Sequence, residues 1–352
     1  MSRGRGRIPA WLASGFDRMG GTATLRAVGD RFSIAPNGFT PRLRARRGRP
    51  FQILIYHRIH DRPREFMLDT VAVDRFDEQM RHLGRRYRVL PLSELLDRAG
   101  QGEIPPRAIA VTFDDGYRDN FTHAYPVLRR YGLPASIFVV TGSIGTGRIL
   151  WHDQALFAFE QTRKDRYPDP DRGDPTDIRP IAAREGTAHK VLARLKRMSG
   201  EERERALTSL FEVLEVDRSR LPSNLMLSWD ETEAMTQGRI EIGSHTVTHP
   251  ILSLETPERV AAELQESKRT IERELGRETR LFAYPNGTRA DYTADVREAV
   301  RAAGYRCALT TRFGPNEPGD DPFEWRRGTP WEEHRALFSV KLALYRAMEA
   351  NS

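Results

Sequence analysis

Cysteine is almost missing from this sequence: Cys307, in the apolar run CALTT, is the only one, so no disulfide can form within the chain. A reducing compartment suits such a chain, and Cys307 reads as a core residue. Long apolar stretches are missing too. No run approaches the roughly 18 apolar residues that mark a membrane-crossing helix. The start, MSRGRGRIPAWLASGFDRMGG, is basic but has neither a continuous apolar core nor a clear cleavage site, so no secretory signal is expected and a cytoplasmic location is. Internal repeats and long low-complexity tracts are also absent, which argues against a repeat array.

What excess charge there is lies at one end. The formal charge is +7, yet residues 1–49 hold 11 Arg against Asp17 and Asp30, leaving 45 Lys+Arg against 47 Asp+Glu in residues 50–352. The body is therefore near neutral and carries no basic reading helix, so nucleic acid is not an expected partner. The leader 1–49, with PRLRARRGRP near its end, is either a solvated arm or a contact for anionic membrane or, less expected, nucleic acid.

From Pro50 onward short apolar runs alternate with helical patterns. Strands are expected at FQILIYH (51–57), AIAVTF (108–113), ASIFVV (135–140), IEIGS (240–244), LFAY (281–284) and CALTT (307–311). Helices are expected over Asp74–Leu83, Leu92–Arg98, Asn120–Tyr131, Pro257–Leu275 and Ala290–Ala303, the fourth capped by Thr256 and opened by Pro257. Repeated β-then-α order predicts an α/β fold with a mainly parallel sheet or barrel over residues 50–330. Between about 160 and 224 the strand signal gives way to charged helical patterns, an expected insertion. Residues 331–352 read as a C-terminal amphipathic helix.

Polar residues gather where these strands end, which is where parallel α/β folds place their chemistry. His57 follows ILIY, Asp114 and Asp115 follow AVTF, and His245 follows EIGS. Adjacent carboxylates repel, so a fold that keeps Asp114 beside Asp115 needs a cation or a shared proton to offset the cost. In EIGSHTVTHP, His245 and His249 stand four apart, a spacing that puts both imidazoles on one face of a helical turn, as two ligands of one metal. One aspartate would complete a three-ligand site and the other would serve as base.

TFDDG together with SHTVTH resembles the first two motifs of the polysaccharide deacetylases, the NodB-homology or carbohydrate esterase family 4 enzymes, over roughly residues 50–330. The resemblance implies a distorted (β/α) barrel and a metal-dependent removal of acetyl groups from sugars. By position it implies Asp114 as catalytic base, Asp115, His245 and His249 as metal ligands, and the backbone N–H of Tyr117 as an oxyanion contact. FAYPNG (282–287) stands where the third motif usually reads like FRPPYG, so Ala283 replaces an arginine that orients the base. Arg327, in DPFEWRRG, is the candidate to supply that guanidinium. No C-terminal Leu-x-His is present; instead ILIYHRI is similar to the first strand of the poly-N-acetylglucosamine deacetylase subgroup, which makes His57 the implied acid, against its reading as a core histidine. Trp151, in RILWHDQ, is a candidate to stack on a sugar or to sit in the core, and Tyr284 is a candidate substrate contact. His152 and Asp153 are a polar pair with no assigned role. One divalent metal is implied, zinc first, with nickel, cobalt or iron as alternatives for the same ligands. The expected activity is removal of N-acetyl groups from a sugar in a polysaccharide or a lipid-linked precursor. The alternatives are hydrolysis of a non-sugar amide on the same barrel and a glycan-binding scaffold without turnover.

Overall fold

The structure, a computed structural model, describes residues 49–62, 66–169, 174–330 and 335–348. Apart from Arg49, the basic leader lies outside the described residues, as do residues 331–334 at the start of the tail. Among the described residues no helix is long and apolar enough to cross a membrane.

The central sheet has seven strands: β1 (Gln52–Tyr56), β2 (Arg88–Val89), β3 (Ala108–Phe113), β4 (Ala135–Val139), β5 (Ile240–Ser244), β6 (Leu281–Ala283) and β7 (Cys307–Leu309). Their order is β1-β3-β4-β5-β6-β7, with β2 against the start of β3, and every pairing is parallel. Bridges from Leu309 to Trp325 and from Leu54 to Gly328 place the segment 325–328 between β7 and β1, closing the curled sheet into a distorted barrel. Side chains alternate across each strand. One set fills the lumen: Phe51, Ile53, Ala110, Phe138, Leu281, Ala283, Cys307, Leu309 and Trp325 pack in one cluster. The other set, including Leu54, Tyr56, Val111, Phe113, Ile137 and Ile242, packs under helices α1 (Val73–Arg86) and α3 (Tyr125–Tyr131). Burial on both faces is why these strands read as continuous apolar runs.

The remaining helices are α2 (Leu92–Gln101), α4 (Trp151–Gln161), α5 (Ile181–Leu195), α6 (Gly200–Val213), α7 (Trp229–Thr236), α8 (Pro257–Leu275), α9 (Ala294–Ala302) and α10 (Arg335–Met348). Four features differ from the sequence reading. The helix expected from Asn120 begins with a wide π turn over Asn120–Ala124 before α3, and the one expected from Ala290 starts only after Thr293, whose side chain caps it through Val296 N–H. The helical unit expected at 160–224 begins already at Trp151: α4, α5 and α6 share a separate core that includes Leu156, Phe159, Leu192, Leu207 and Phe211. That unit also holds a short antiparallel ladder, Arg166–Tyr167 against Thr176–Asp177, where no strand was expected.

Candidate active site

The lumen-facing alternation continues one step past three strand ends. His57 follows the parity of Phe51, Ile53 and Ile55; Asp114 follows Ala110 and Thr112; His245 follows Glu241 and Gly243. All three therefore meet at the C-terminal mouth of the barrel, and Asp114 N–H donates to Tyr56 O at 3.0 Å, which ties the first two ends together. After Asp114 the chain turns sharply, with Asp115 at φ 75° and Gly116 at φ 80°. A Cβ on Gly116 would lie 2.9 Å from Ile144, so both the space and the backbone angle require glycine.

This turn separates the two carboxylates. Asp114 receives a two-pronged contact from Arg327, Nη1 to Oδ1 and Nη2 to Oδ2, each at 2.7 Å. Arg327 Nε donates to Thr310 O at 2.8 Å, and the guanidinium is fully buried. Burial alone would raise Asp114, but Arg327 overcomes it and holds the carboxyl below its usual value. Arg327 thus brings a guanidinium to Asp114 from the barrel-closing segment, although Ala283 leaves none at the third motif.

Asp115 turns the other way. Its Oδ1 lies 3.5 Å from His245 Nε2 and 3.4 Å from His249 Nε2, is buried, and has no hydrogen-bond donor. Burial first, then the charge of Asp114, pushes Asp115 well above the ordinary carboxylate range. Burial likewise pulls His245 down to about 4 and His249 well below its usual value, so both rings are neutral. His245 Nδ1 is paired with Ala283 O at 2.8 Å, which leaves the Nε2 lone pair facing Asp115. Two imidazole lone pairs and an orphaned carboxylate oxygen, all within 4.8 Å of one another, fit a divalent cation. Such an ion would supply the charge that lets this buried carboxylate ionise.

The stretch between the histidines is not the helical turn that the spacing suggested. It is a loop in which Thr246 and His249 take positive φ, 70° and 55°. Glu263 of α8 holds it: one carboxylate oxygen accepts from Val247 N–H at 2.7 Å and Thr248 N–H at 2.9 Å, the other from Thr248 Oγ1 at 2.6 Å. Sequence reasoning missed Glu263. The signal was an acid on the buried stripe of α8, in register with Val260, Leu264, Ser267 and Ile271. It also missed Asp119 and Asn120 of the DDGYRDN stretch, which clamp the first strand end. Asp119 accepts from Ile59 N–H and Arg58 Nε, and Asn120 Nδ2 donates to His57 O at 2.8 Å.

Tyr117 forms an antiparallel bridge with Met226 in which Arg118 N–H donates to Leu225 O and Leu227 N–H to Gly116 O. Tyr117 is the pair's non-hydrogen-bonded residue, so its own N–H is turned away from the Met226 strand. A cavity of about 440 Å³ gathers His57, Asp114, Asp115, Tyr117, His245 and His249, with α5 and the residue after it supplying one wall through His189, Leu192, Ala193 and Lys196.

Two aromatic candidates need correction as open sugar contacts. Trp151 is buried, its indole N–H donating to His249 O at 3.1 Å and its ring lying under Arg203 at 4.8 Å. It holds the His249 backbone instead of presenting a free face. Tyr284 is fully buried, stacked on Tyr292 with its hydroxyl bonded to Phe323 O, and contributes nothing to the cavity. It follows Ala283 past the end of β6 but falls on the outward parity, among Leu264, Phe282 and Val300.

A family model described as polysaccharide deacetylase matches residues 101–308. A Bacillus subtilis protein named as a polysaccharide deacetylase, YxkH, is 24% identical over 208 residues, 59% of this chain and 46% of its own length. The poly-β-1,6-N-acetyl-D-glucosamine N-deacetylase of Staphylococcus aureus is 32% identical over 77 residues, 22% of this chain and 27% of its own length. The chain thus matches less than half the length of these curated relatives. Among solved structures, the Streptococcus pyogenes deacetylase PplD in complex with acetate aligns with a TM-score of 0.56 at 19% identity, covering 84% of this chain and 98% of that one. IcaB from Ammonifex degensii aligns with a TM-score of 0.54 at 21% identity, covering 85% and 98%. At these identities the likeness shows a shared fold.

Proposed function

This chain belongs to the polysaccharide deacetylase family, and from that membership we propose that it is a metal-dependent hydrolase that removes N-acetyl groups from a sugar in a polysaccharide or a lipid-linked glycan precursor. The observation that carries the reading is the division of labour between adjacent aspartates: Asp114 held ionised by Arg327, Asp115 left without a donor between two neutral imidazoles. Asp115, His245 and His249 would hold the ion, and zinc suits two nitrogens and one carboxylate, with nickel, cobalt or iron able to use the same set. When bound, the ion supplies a Lewis acid for the acetyl carbonyl and acidifies water.

The chain's own groups do the rest. Asp114, kept ionised, accepts the proton of the attacking water. The Tyr117 N–H donates to the oxygen that gains charge as the carbonyl carbon becomes tetrahedral. His57, across the barrel mouth, gives a proton to the departing nitrogen, which cannot leave as an anion. The test is acetate release by metal-reconstituted protein from a panel of acetylated oligosaccharides and, for contrast, small cyclic amides. Release from the amides alone moves the substrate off sugars. Ala283 leaves the third motif without its arginine, the one ground for a binding scaffold without turnover, and the Arg327 contact to Asp114 supports turnover instead. We also propose that leader 1–49 docks on anionic membrane at low ionic strength, with binding that weakens as salt is added; vesicle binding that survives its truncation removes this role.

A further inference from the structure

His152 and Asp153 take no part in the chemistry set out above, yet the first turn of α4 aims both at Tyr117. The Tyr117 hydroxyl donates to Asp153 Oδ2 at 2.9 Å. A phenol has one proton to give, so its second contact, 3.0 Å to His152 Nε2, requires the imidazole to be the donor. His152 therefore carries its hydrogen on Nε2 and a lone pair on Nδ1. The Tyr117 ring is itself pinned, with the Arg58 guanidinium 4.6 Å from its centre and Arg58 paired to Asp119 at 2.9 Å. The orientation of His152 is thus fixed by a network that reaches back to the DDGYRDN stretch.

The imidazole also lines the cavity that holds Asp114, Asp115, His245 and His249, with its centre 5.5 Å from that of His249. Among the described residues Nδ1 makes no hydrogen bond, and it is not sealed from solvent. A substrate amide seated for hydrolysis turns its oxygen to the cation site and its nitrogen to the proton donor. Of the polar groups then left on an acetamido sugar, the hydroxyls can donate, whereas the ring and glycosidic oxygens can only accept. We infer that His152 Nδ1 accepts a hydrogen bond from a hydroxyl of the sugar that bears the acetyl group, which makes His152 a specificity residue for sugars over simpler acetyl compounds. This rests on the deacetylase reading.

Two variants separate this role from a structural one. In His152→Asn the side-chain amide can place an oxygen near the position of Nδ1, whereas in His152→Gln the amide reaches the position of Nε2 and leaves the Nδ1 position empty. With metal-reconstituted protein, acetate release is measured on N-acetylglucosamine oligomers and on 4-nitrophenyl acetate, which has no sugar hydroxyl, together with metal content and oligomer binding by titration calorimetry. His152→Gln should raise KM for the oligomer about tenfold, the scale of one lost hydrogen bond, and leave kcat, ester hydrolysis and metal content as in the parent. His152→Asn should stay within about threefold of the parent on all measures. The inference is overturned if Asn loses as much as Gln, or if Gln lowers sugar and ester hydrolysis alike. Should the parent bind oligomers without releasing acetate, the deacetylase reading falls, and weaker binding by Gln alone still supports the acceptor role. A parent that neither binds nor hydrolyses any sugar overturns both.

Discussion

Replacing Arg327 with methionine, which has a similar stem and no charge, puts the Asp114 environment to a quantitative test. Arg327 and Asp114 side chains are 0% and 2% exposed and share two 2.7 Å contacts, so solvent cannot take over when the guanidinium is removed. Removing one partner of a buried pair costs about 3–5 kcal/mol, because the remaining charge is left uncompensated. The loss should depend on pH in a defined direction. In the parent the Asp114 carboxyl is depressed, so its contribution to stability is present above the unfolded carboxylate value of about 3.9 and fades as pH falls through the lower folded value. In Arg327→Met the carboxyl rises and takes up a proton sooner, which relieves the penalty. Urea denaturation should therefore show a gap of about 3–5 kcal/mol at pH 7 that narrows by pH 4. Adding Asp114→Asn to the same chain should recover most of it, since no buried charge is then left alone. A single variant within about 1 kcal/mol of the parent at pH 7, or a gap that widens toward acid, refutes the reasoning.

Asp114→Asn should keep about one divalent metal per chain and lose acetate release, whereas Asp115→Asn should lose both, as should His245→Ala or His249→Ala; metal analysis beside an acetate assay reads the difference, and reversed metal contents for the two aspartate variants would exchange their roles. Trp151→Phe deletes the N–H that holds His249 O and should weaken metal retention against a chelator while leaving KM for glycan little changed; a raised KM with unchanged retention would return Trp151 to sugar stacking. Asp153 is raised by burial to about 6, so its ionisation destabilises the fold increasingly as pH climbs from about 4 to 6. Asp153→Asn should accordingly gain about 2–3 kcal/mol on the parent at pH 8 and little at pH 4, measured by urea denaturation.

The sheet was legible because strands buried on both faces leave uninterrupted apolar runs, and part of the candidate site was legible because His57, Asp114 and His245 directly follow them. What sequence spacing could not fix was direction. His245 and His249 stand four apart, the spacing of a helical ligand pair, yet Glu263 and two positive φ values hold them in a loop. Trp151 and Tyr284 are aromatics near candidate site residues, and only packing decides whether such a ring faces a ligand or the core. Arg327 was readable as a substitute for the missing arginine, but its reach depends on bridges that join the segment 325–328 to β7 and β1. In the sequence Asn120 only opens an expected helix and Asp119 stands out in no way; their work is done across the barrel mouth, on a strand end some 60 positions earlier in the chain.

The helical unit of α4, α5 and α6 keeps its own apolar core, while Asp115, His245, His249 and the Asp114–Arg327 pair hang from strand ends and the barrel closure. A division of that kind gives the two parts different freedom to drift. Leu192 and Ala193, on the cavity wall, belong to the helical unit, so a change in their size reshapes the cavity from that side, whereas the charge of Lys196 also reaches His249. Under the proposed function, the barrel mouth can then stay fixed while the helix beside it changes, which would alter the sugars accepted without rebuilding the hydrolytic centre.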